Sequence, residues 1–321
     1  MSANSNKFGH LFQWATFGES HGSAMGVIID GCPAGLAYDE ALLLEKLGSR
    51  RPGNSQGTSD RKELDQPEIL SGIFENKTLG TPIAVIVRNT SQRSQDYDAI
   101  KETPRVGHAD DVWKNKFSHS DHRGGGRASA RETVNWVIAG AFAQMYCQSQ
   151  NSKIKVQASL TQVGSKKVSG VKDIELLEML EQAKVEGESF GALIELKVEN
   201  PPAFIGEPVF KKIKSELSSA FMTINACCGV ELGDGFALAQ KKGTEVHSNM
   251  ESEVYGGSRG GITTGENLKF NLAFKPTSSI LDVAKLGRHD PCVAMRALPI
   301  VEAMTWNVLA DLLLAQKLNQ L

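Results

Sequence analysis

The apolar positions of the chain fall into two periods. Alternating or continuous β-branched and aromatic runs predict strands at 10–17, 25–30, 68–74, 82–89, 154–164, 192–200 and 267–276. The last alternates most cleanly, with Leu268, Phe270, Leu272 and Phe274 on one face, as a half-buried strand requires. A 3.6-residue period predicts helices over 39–47, 129–148, 173–185, 208–222 and 291–318. In the second of these, Val134, Val137, Ile138, Ala141, Phe142 and Met145 form an apolar stripe that packs against a core. The strands come in hairpin-like pairs rather than alternating strictly with helices. A doubly wound parallel sheet is therefore disfavoured, and a layered α+β arrangement with antiparallel sheets is expected. The glycine-rich connections 88–127 and 240–265 exceed simple turns, and connections of that length are usually functional or disordered.

Composition narrows the class. The chain has 321 residues, 40% hydrophobic and 22% charged, enough to bury the core of one large or two medium domains. A net charge of −2 leaves no overall field for nucleic acid or an acidic membrane surface. The five cysteines show no C-x-x-C spacing, which fits reduced thiols better than a disulfide framework, and points to no metal site. No apolar signal region opens the chain and no apolar run is expected to span a membrane, so a cytoplasmic protein is predicted.

Candidate chemistry lies in the loops. Gly18-Glu19-Ser20-His21-Gly22 matches the G-x-S-x-G nucleophile elbow, which needs a strand, a sharp turn and a helix beginning at the serine. Here a second strand-like run follows the loop, so a hydrolase reading of Ser20 is disfavoured. In "HRGGGRASARET" (122–133) glycines lead into a helical run, and Arg127 and Arg131 stand four apart, hence on one helical face. A glycine turn at a helix start with two arginines suits phosphate or carboxylate. Neither a P-loop nor a dinucleotide fingerprint is present. "SRRPGNSQGTSDRK" (49–62) adds Arg50 and Arg51, and "PRVGHAD" (104–110) sets His108 close to Arg105, placed to protonate a leaving phosphate. Asp290 followed by Pro291 reads as a helix N-cap and first helical position. The cluster "GGSRGGITTG" (256–265) suggests backbone packed against a planar ligand. With Lys275 and Arg288 these loops, if they converge, form a local cationic pocket for a small polyanion. Aromatic residues do not interleave with them as a nucleic-acid groove requires.

The motifs "TFGESHG", "RRPG", "RSQDYDAIKETPRVGHAD", "RGGGRASARE", "INACCGVELGDGF", "KPTSSI" and "GRHDPC" occur in the order found in chorismate synthases. The chain resembles that family from about Phe8 to the final helix. The resemblance implies a single domain over 1–321, a β-α-β sandwich with helices between antiparallel sheets, and a homotetramer. It implies 1,4-anti elimination of phosphate from 5-enolpyruvylshikimate 3-phosphate, with reduced FMN required although there is no net redox change. By the same resemblance, His21 protonates the reduced flavin, His108 assists departure of the phosphate, and Asp290 helps the flavin N5 region accept the C6 proton. Arg50, Arg51, Arg105, Arg131 and Arg288 hold the substrate's anionic groups. Arg127, Ala128, Ser129, Asn225, Ala226, Gly260, Lys275, Pro276, Thr277, Ser278, Ser279 and Arg288 line the FMN.

Three departures stand out. Gln56 replaces a common arginine at a substrate or NADP contact, Ala128 replaces a frequent serine, and the stretch between Ser279 and Gly287 is short. No segment is left for a fused flavin reductase, so an external source of reduced flavin is expected. Two alternatives remain at this stage: a non-catalytic FMN or phosphosugar-binding protein on the same fold, and a hydrolase using Ser20.

Overall fold

The computed structural model describes residues 6–51, 65–89, 108–119, 121, 123–248, 252–278, 280–281 and 290–319. Among these, two five-stranded antiparallel sheets enclose a layer of helices. The first sheet is built from β1 (Lys7–Phe8), β2 (Gln13–Phe17), β3 (Ala24–Asp30), β4 (Pro67–Ser71) and β7 (Ile83–Arg88), in the order β1-β2-β3-β7-β4. Ribbon β5 (Ile73–Phe74) and β6 (Lys77–Thr78) stands beside it. The second sheet has β8 (Lys155–Val163), β9 (Lys166–Lys167), β10 (Ala192–Glu199), β11 (Cys227–Leu232) and β14 (Leu268–Phe274), ordered β11-β14-β10-β8-β9. A short hairpin pairs β12 (Ser258–Arg259) with β13 (Ile262–Thr263).

Between the sheets run α3 (Thr133–Gln150) and α7 (Ala294–Leu318), with α1 (Glu40–Arg50) and α5 (Ile213–Met222) against them. Further helices are α2 (Asp110–Phe117), α4 (Ile174–Glu186) and α6 (Gly243–His247). The core joins both sheets through this helical layer, from Val27 and Val85 through Phe142 and Leu309 to Leu196 and Phe270. The expected antiparallel layered fold is therefore the observed one.

Position between two sheets explains how α3 differs from expectation. From Thr133 to Cys147 it is buried on every side except at Trp136, rather than along one stripe. A helix covered all round has no polar face to keep. At Gly140 a β-carbon would lie 2.6 Å from the Ala303 β-carbon, so the glycine is what lets α3 and α7 approach. Helix α7 is long and apolar enough to cross a membrane, contrary to expectation, yet 72% of its apolar window is buried inside the fold. That makes it a core helix. Its buried Asp311 accepts from the backbone N–H groups of His10 (3.0 Å), Leu11 (2.6 Å) and Phe12 (2.9 Å), pinning the entry of β2 to the core.

Several predicted boundaries move. The strand at 10–17 begins only at Gln13, because the preceding amides serve Asp311. The run 68–74 breaks at Gly72 into β4 and β5, and 208–222 is helical only from Ile213. Residues 129–148 open with a 3₁₀ turn at Ala130–Glu132 before α3 begins, and another 3₁₀ turn, Arg123–Ala128, precedes them. The final helix starts at Ala294, so Asp290 is not its N-cap and Pro291 is not its first residue. The span 240–265 holds α6, a 3₁₀ turn and the β12–β13 hairpin; Gly256, Gly261 and Gly265 pack against other protein segments, whereas Gly260 faces open space. Strand β11 was not anticipated. All five cysteines are free thiols.

Candidate active site

The site grows from the end of α1. Asp39 caps that helix by accepting from the Leu42 N–H at 2.9 Å, and the last turn delivers Arg50 into the interior. Its Nη2 donates to Asp65 Oδ2 at 2.5 Å, and its Nη1 to Thr133 Oγ1 at 3.4 Å. Arg131, from the 3₁₀ turn before α3, donates through Nη1 to the other oxygen, Asp65 Oδ1. One buried carboxylate thus holds two buried guanidinium groups from distant segments. Burial alone would raise the Asp65 pKa, but Arg50 and Arg131 more than offset it and keep the carboxyl below its ordinary value.

The same cluster grips the Gly18–Gly22 loop. This loop joins β2 to β3 as a strand–strand connection, so no helix follows Ser20 as an elbow demands. Gly18 lies at φ +92°, and a β-carbon there would sit 2.2 Å from the Ala24 carbonyl oxygen. Asn89 donates to the carbonyls of Glu19 (3.2 Å) and Gly22 (2.9 Å) and accepts from Arg131 Nε (3.2 Å). His21 is buried, its Nδ1 3.2 Å from Ser20 Oγ.

Arg127 and Arg131 do not share a helical face, because the backbone between them is not α-helical. Arg127 turns the other way, donating to Glu132 Oε2 (2.8 Å), Thr16 Oγ1 (2.6 Å), the Gly18 carbonyl (3.3 Å) and Asn6 Oδ1 (3.2 Å). Burial raises the pKa of Glu132 despite this partner.

The segments expected to face a cofactor are hydrogen-bonded to one another. The Asn225 amide donates to the Ala128 carbonyl at 3.1 Å, and the Lys275 N–H to the Ala226 carbonyl at 2.9 Å. Thr277 Oγ1 donates to the Asp290 carbonyl at 3.1 Å. The Asp290 side chain takes Arg296 Nη1 on Oδ2 at 3.3 Å. Ser129 Oγ is occupied in accepting from the Arg131 N–H. Lys275, Pro276, Thr277 and Ser278 continue from the end of β14 as a mostly exposed lip. Where these segments meet the arginine cluster, a cleft is lined by Arg50, Thr133, Asn225 and Arg296 over an apolar floor including Ile224 and Ile300. Arg50 Nε and Arg296 Nε are buried without a partner among the described residues. Unfilled cationic donors at a cleft wall suit an anionic ligand.

Not every expected residue joins this cleft. Gly260 sits in the β12–β13 hairpin by Lys212, at the start of α5. Asn225 follows the other end of that helix, so about 15 Å of helical rise separates the two. Arg51 closes α1 as its C-cap, with Nε buried and without a partner among the described residues. His108 stands half-buried just ahead of α2. Arg105, Arg288, Ser279 and Gln56 lie outside the described residues, as does 282–286 of the short stretch before Gly287.

Sequence reasoning missed Asp65, Asn89 and Arg296. Arg296 carried a signal, a lone cation entering an apolar helix. Asp65 and Asn89 carried none, since their role exists only through arginines brought from elsewhere.

Comparison with known proteins agrees with this geometry. The family model for chorismate synthase matches residues 12–314. The chain belongs to the chorismate synthase family. A chorismate synthase from Bdellovibrio bacteriovorus is 51% identical over 341 residues, covering 99% of this chain and all of the relative. That alignment is longer than the chain, so the relative has segments absent here. A crystal structure of chorismate synthase superimposes with a TM-score of 0.76 at 28% identity, covering 96% of this chain and 93% of the other. Chorismate synthases are lyases of the shikimate pathway, act on a small-molecule substrate and work with a flavin. The cleft with its unfilled arginine donors is lined on one side by Asn225, whose neighbour Ala226 is hydrogen-bonded to Lys275.

Proposed function

We propose that the chain, as a single cytoplasmic domain, eliminates phosphate from 5-enolpyruvylshikimate 3-phosphate in the 1,4-anti sense to give chorismate. It requires reduced FMN, takes it from an external source, and works as a homotetramer. The observation that carries this reading is the pair of buried arginines, Arg50 and Arg131, held by one carboxylate, with Arg50 and Asn225 lining one cleft.

The flavin, when bound, supplies transient electron density for C–O cleavage, and the protein supplies orientation, charge neutralisation and protons. Arg50, Arg51 and Arg131, with Arg105 and Arg288, bind the carboxylates and phosphate. The backbone of 127–129 together with Asn225, Ala226 and Lys275–Ser279 holds the cofactor, because the Arg127 guanidinium is engaged within the protein. Gly260 and Arg288 complete the cofactor set in this reading. His21 would protonate the reduced flavin, His108 would assist departure of the phosphate, and Asp290 would help the flavin N5 region accept the C6 proton.

Anaerobic incubation with photoreduced FMN and 5-enolpyruvylshikimate 3-phosphate tests this. Phosphate and chorismate should appear together, one for one, and neither should appear with oxidised FMN. Bound FMN without turnover would replace the lyase with a binding protein.

A further inference from the structure

Asn89 directly follows β7, and its own N–H donates to the Ser23 carbonyl at 3.1 Å, extending the pairing of β7 with β3 by one residue. With the backbone fixed by the first sheet, the side chain reaches two separate parts of the site. Nδ2 donates to the carbonyls of Glu19 (3.2 Å) and Gly22 (2.9 Å), the residues that flank Ser20 and His21. Oδ1 accepts from Arg131 Nε at 3.2 Å. The amide cannot be turned over, since carbonyls only accept and a guanidinium only donates. The Gly22 N–H donates in turn to the Glu19 carbonyl at 2.9 Å, so the turn carrying His21 closes on an atom that Asn89 also holds. His21 and Arg131 are both buried, and Asp65 holds Arg131 through Nη1.

We infer that Asn89 is a positioning residue: its one amide sets the distance between Arg131, which binds the substrate's anionic groups, and the loop that carries His21. The inference rests on the roles given to those two residues above. Local structure does not fix that distance, because Arg131 comes from the 3₁₀ turn before α3 and the loop joins β2 to β3. The loop is also bounded by Gly18 and Gly22, and glycine restrains a backbone least. Arg127 holds the Gly18 carbonyl at one end, and Asn89 holds the Gly22 carbonyl at the other. Loss of the Nδ2 donor frees the His21 end and leaves Arg131 its acceptor. Loss of the whole amide frees both.

Asn89→Asp and Asn89→Leu separate the two halves of the amide. The aspartate keeps an oxygen for Arg131 Nε but turns another towards the Glu19 and Gly22 carbonyls, and the leucine makes neither contact. In the flavin-free protein, hydrogen exchange over residues 18–22 should speed up by about tenfold in both variants, with α3 and α7 unchanged. With photoreduced FMN, kcat per folded site should fall by about tenfold in Asn89→Asp, and Asn89→Leu should raise the KM for 5-enolpyruvylshikimate 3-phosphate as well. The absorbance of bound reduced FMN should move from the neutral towards the anionic form in both, as in His21→Ala. A merely structural asparagine would lower the yield of folded enzyme and leave that spectrum and kcat per folded site at the wild-type values. Such a result, or unchanged exchange over 18–22, overturns the inference. Wild-type turnover and spectrum in His21→Ala would instead overturn the role of His21 itself.

Discussion

Arg127 and Arg50 are both buried or nearly so, both paired with a carboxylate, and both among the residues a sequence reading sends to the ligand. Their surroundings divide them. Arg127 spends its donors on Glu132, Thr16, Gly18 and Asn6, all protein acceptors, and so closes β2 and the Gly18–Gly22 loop onto the turn before α3. Arg50 spends one donor on Asp65 and a long one on Thr133, and keeps a buried Nε with no partner among the described residues, beside the cleft. The ligand position is read from unfilled donors, not from the number of positive charges.

The largest effect expected from this contrast is at Arg50. Arg50→Met should lower kcat/KM by at least about 100-fold, the equivalent of roughly 3 kcal/mol for lost charge-assisted bonds. Steady-state kinetics check it, and a near wild-type value would move the substrate out of this cleft. Arg127→Met should act first on stability, costing about 3–5 kcal/mol because Glu132 is left buried without its counter-ion. An unchanged urea midpoint would break the clamp.

Acid separates the two carboxylates by sign. Asp65 is held below its ordinary value of 3.8, so its contribution is present above that pH and lost as pH falls below it. Asp65→Asn should flatten this acid loss in pH-dependent melting. Glu132, raised above 4.5 by burial, runs the other way: its ionised form is disfavoured in the fold, and stability rises as pH falls towards that value. The smallest effect is at Ser20. Ser20→Ala should slow turnover by about fivefold, one neutral hydrogen bond to His21 of near 1 kcal/mol. Ester cleavage that disappears in this variant would restore the nucleophile.

Much of this was legible in the chain, and the exceptions share a cause. Strict alternation located β14, and the helical period placed runs at 39–47 and 173–185 that begin on Asp39 and Asp173, the caps of α1 and α4, because each signal is local. Asp290-Pro291 looks like a local cap and is not one, since Asp290 is drawn into the pair with Arg296. The spacing of Arg127 and Arg131 implied a common face only on the assumption of an α-helix, which the 3₁₀ turns remove. Asn89 ends an ordinary strand in the sequence, yet it joins the His21 loop to Arg131.

By itself the sequence determined most of the strands and the core helices, that the loops are rich in arginine and glycine, and that their motifs are those of chorismate synthase. Periodicity and turn chemistry act over a few residues, and long motifs carry their own order, so neither needs a fold to be read. Only the tertiary structure decided which arginines keep donors for a ligand, that Asp65 binds Arg50 to Arg131, and that Arg296 faces Asp290. Those outcomes depend on charges and hydrogen bonds between residues far apart in the chain, whose energies take their size from shared burial away from water.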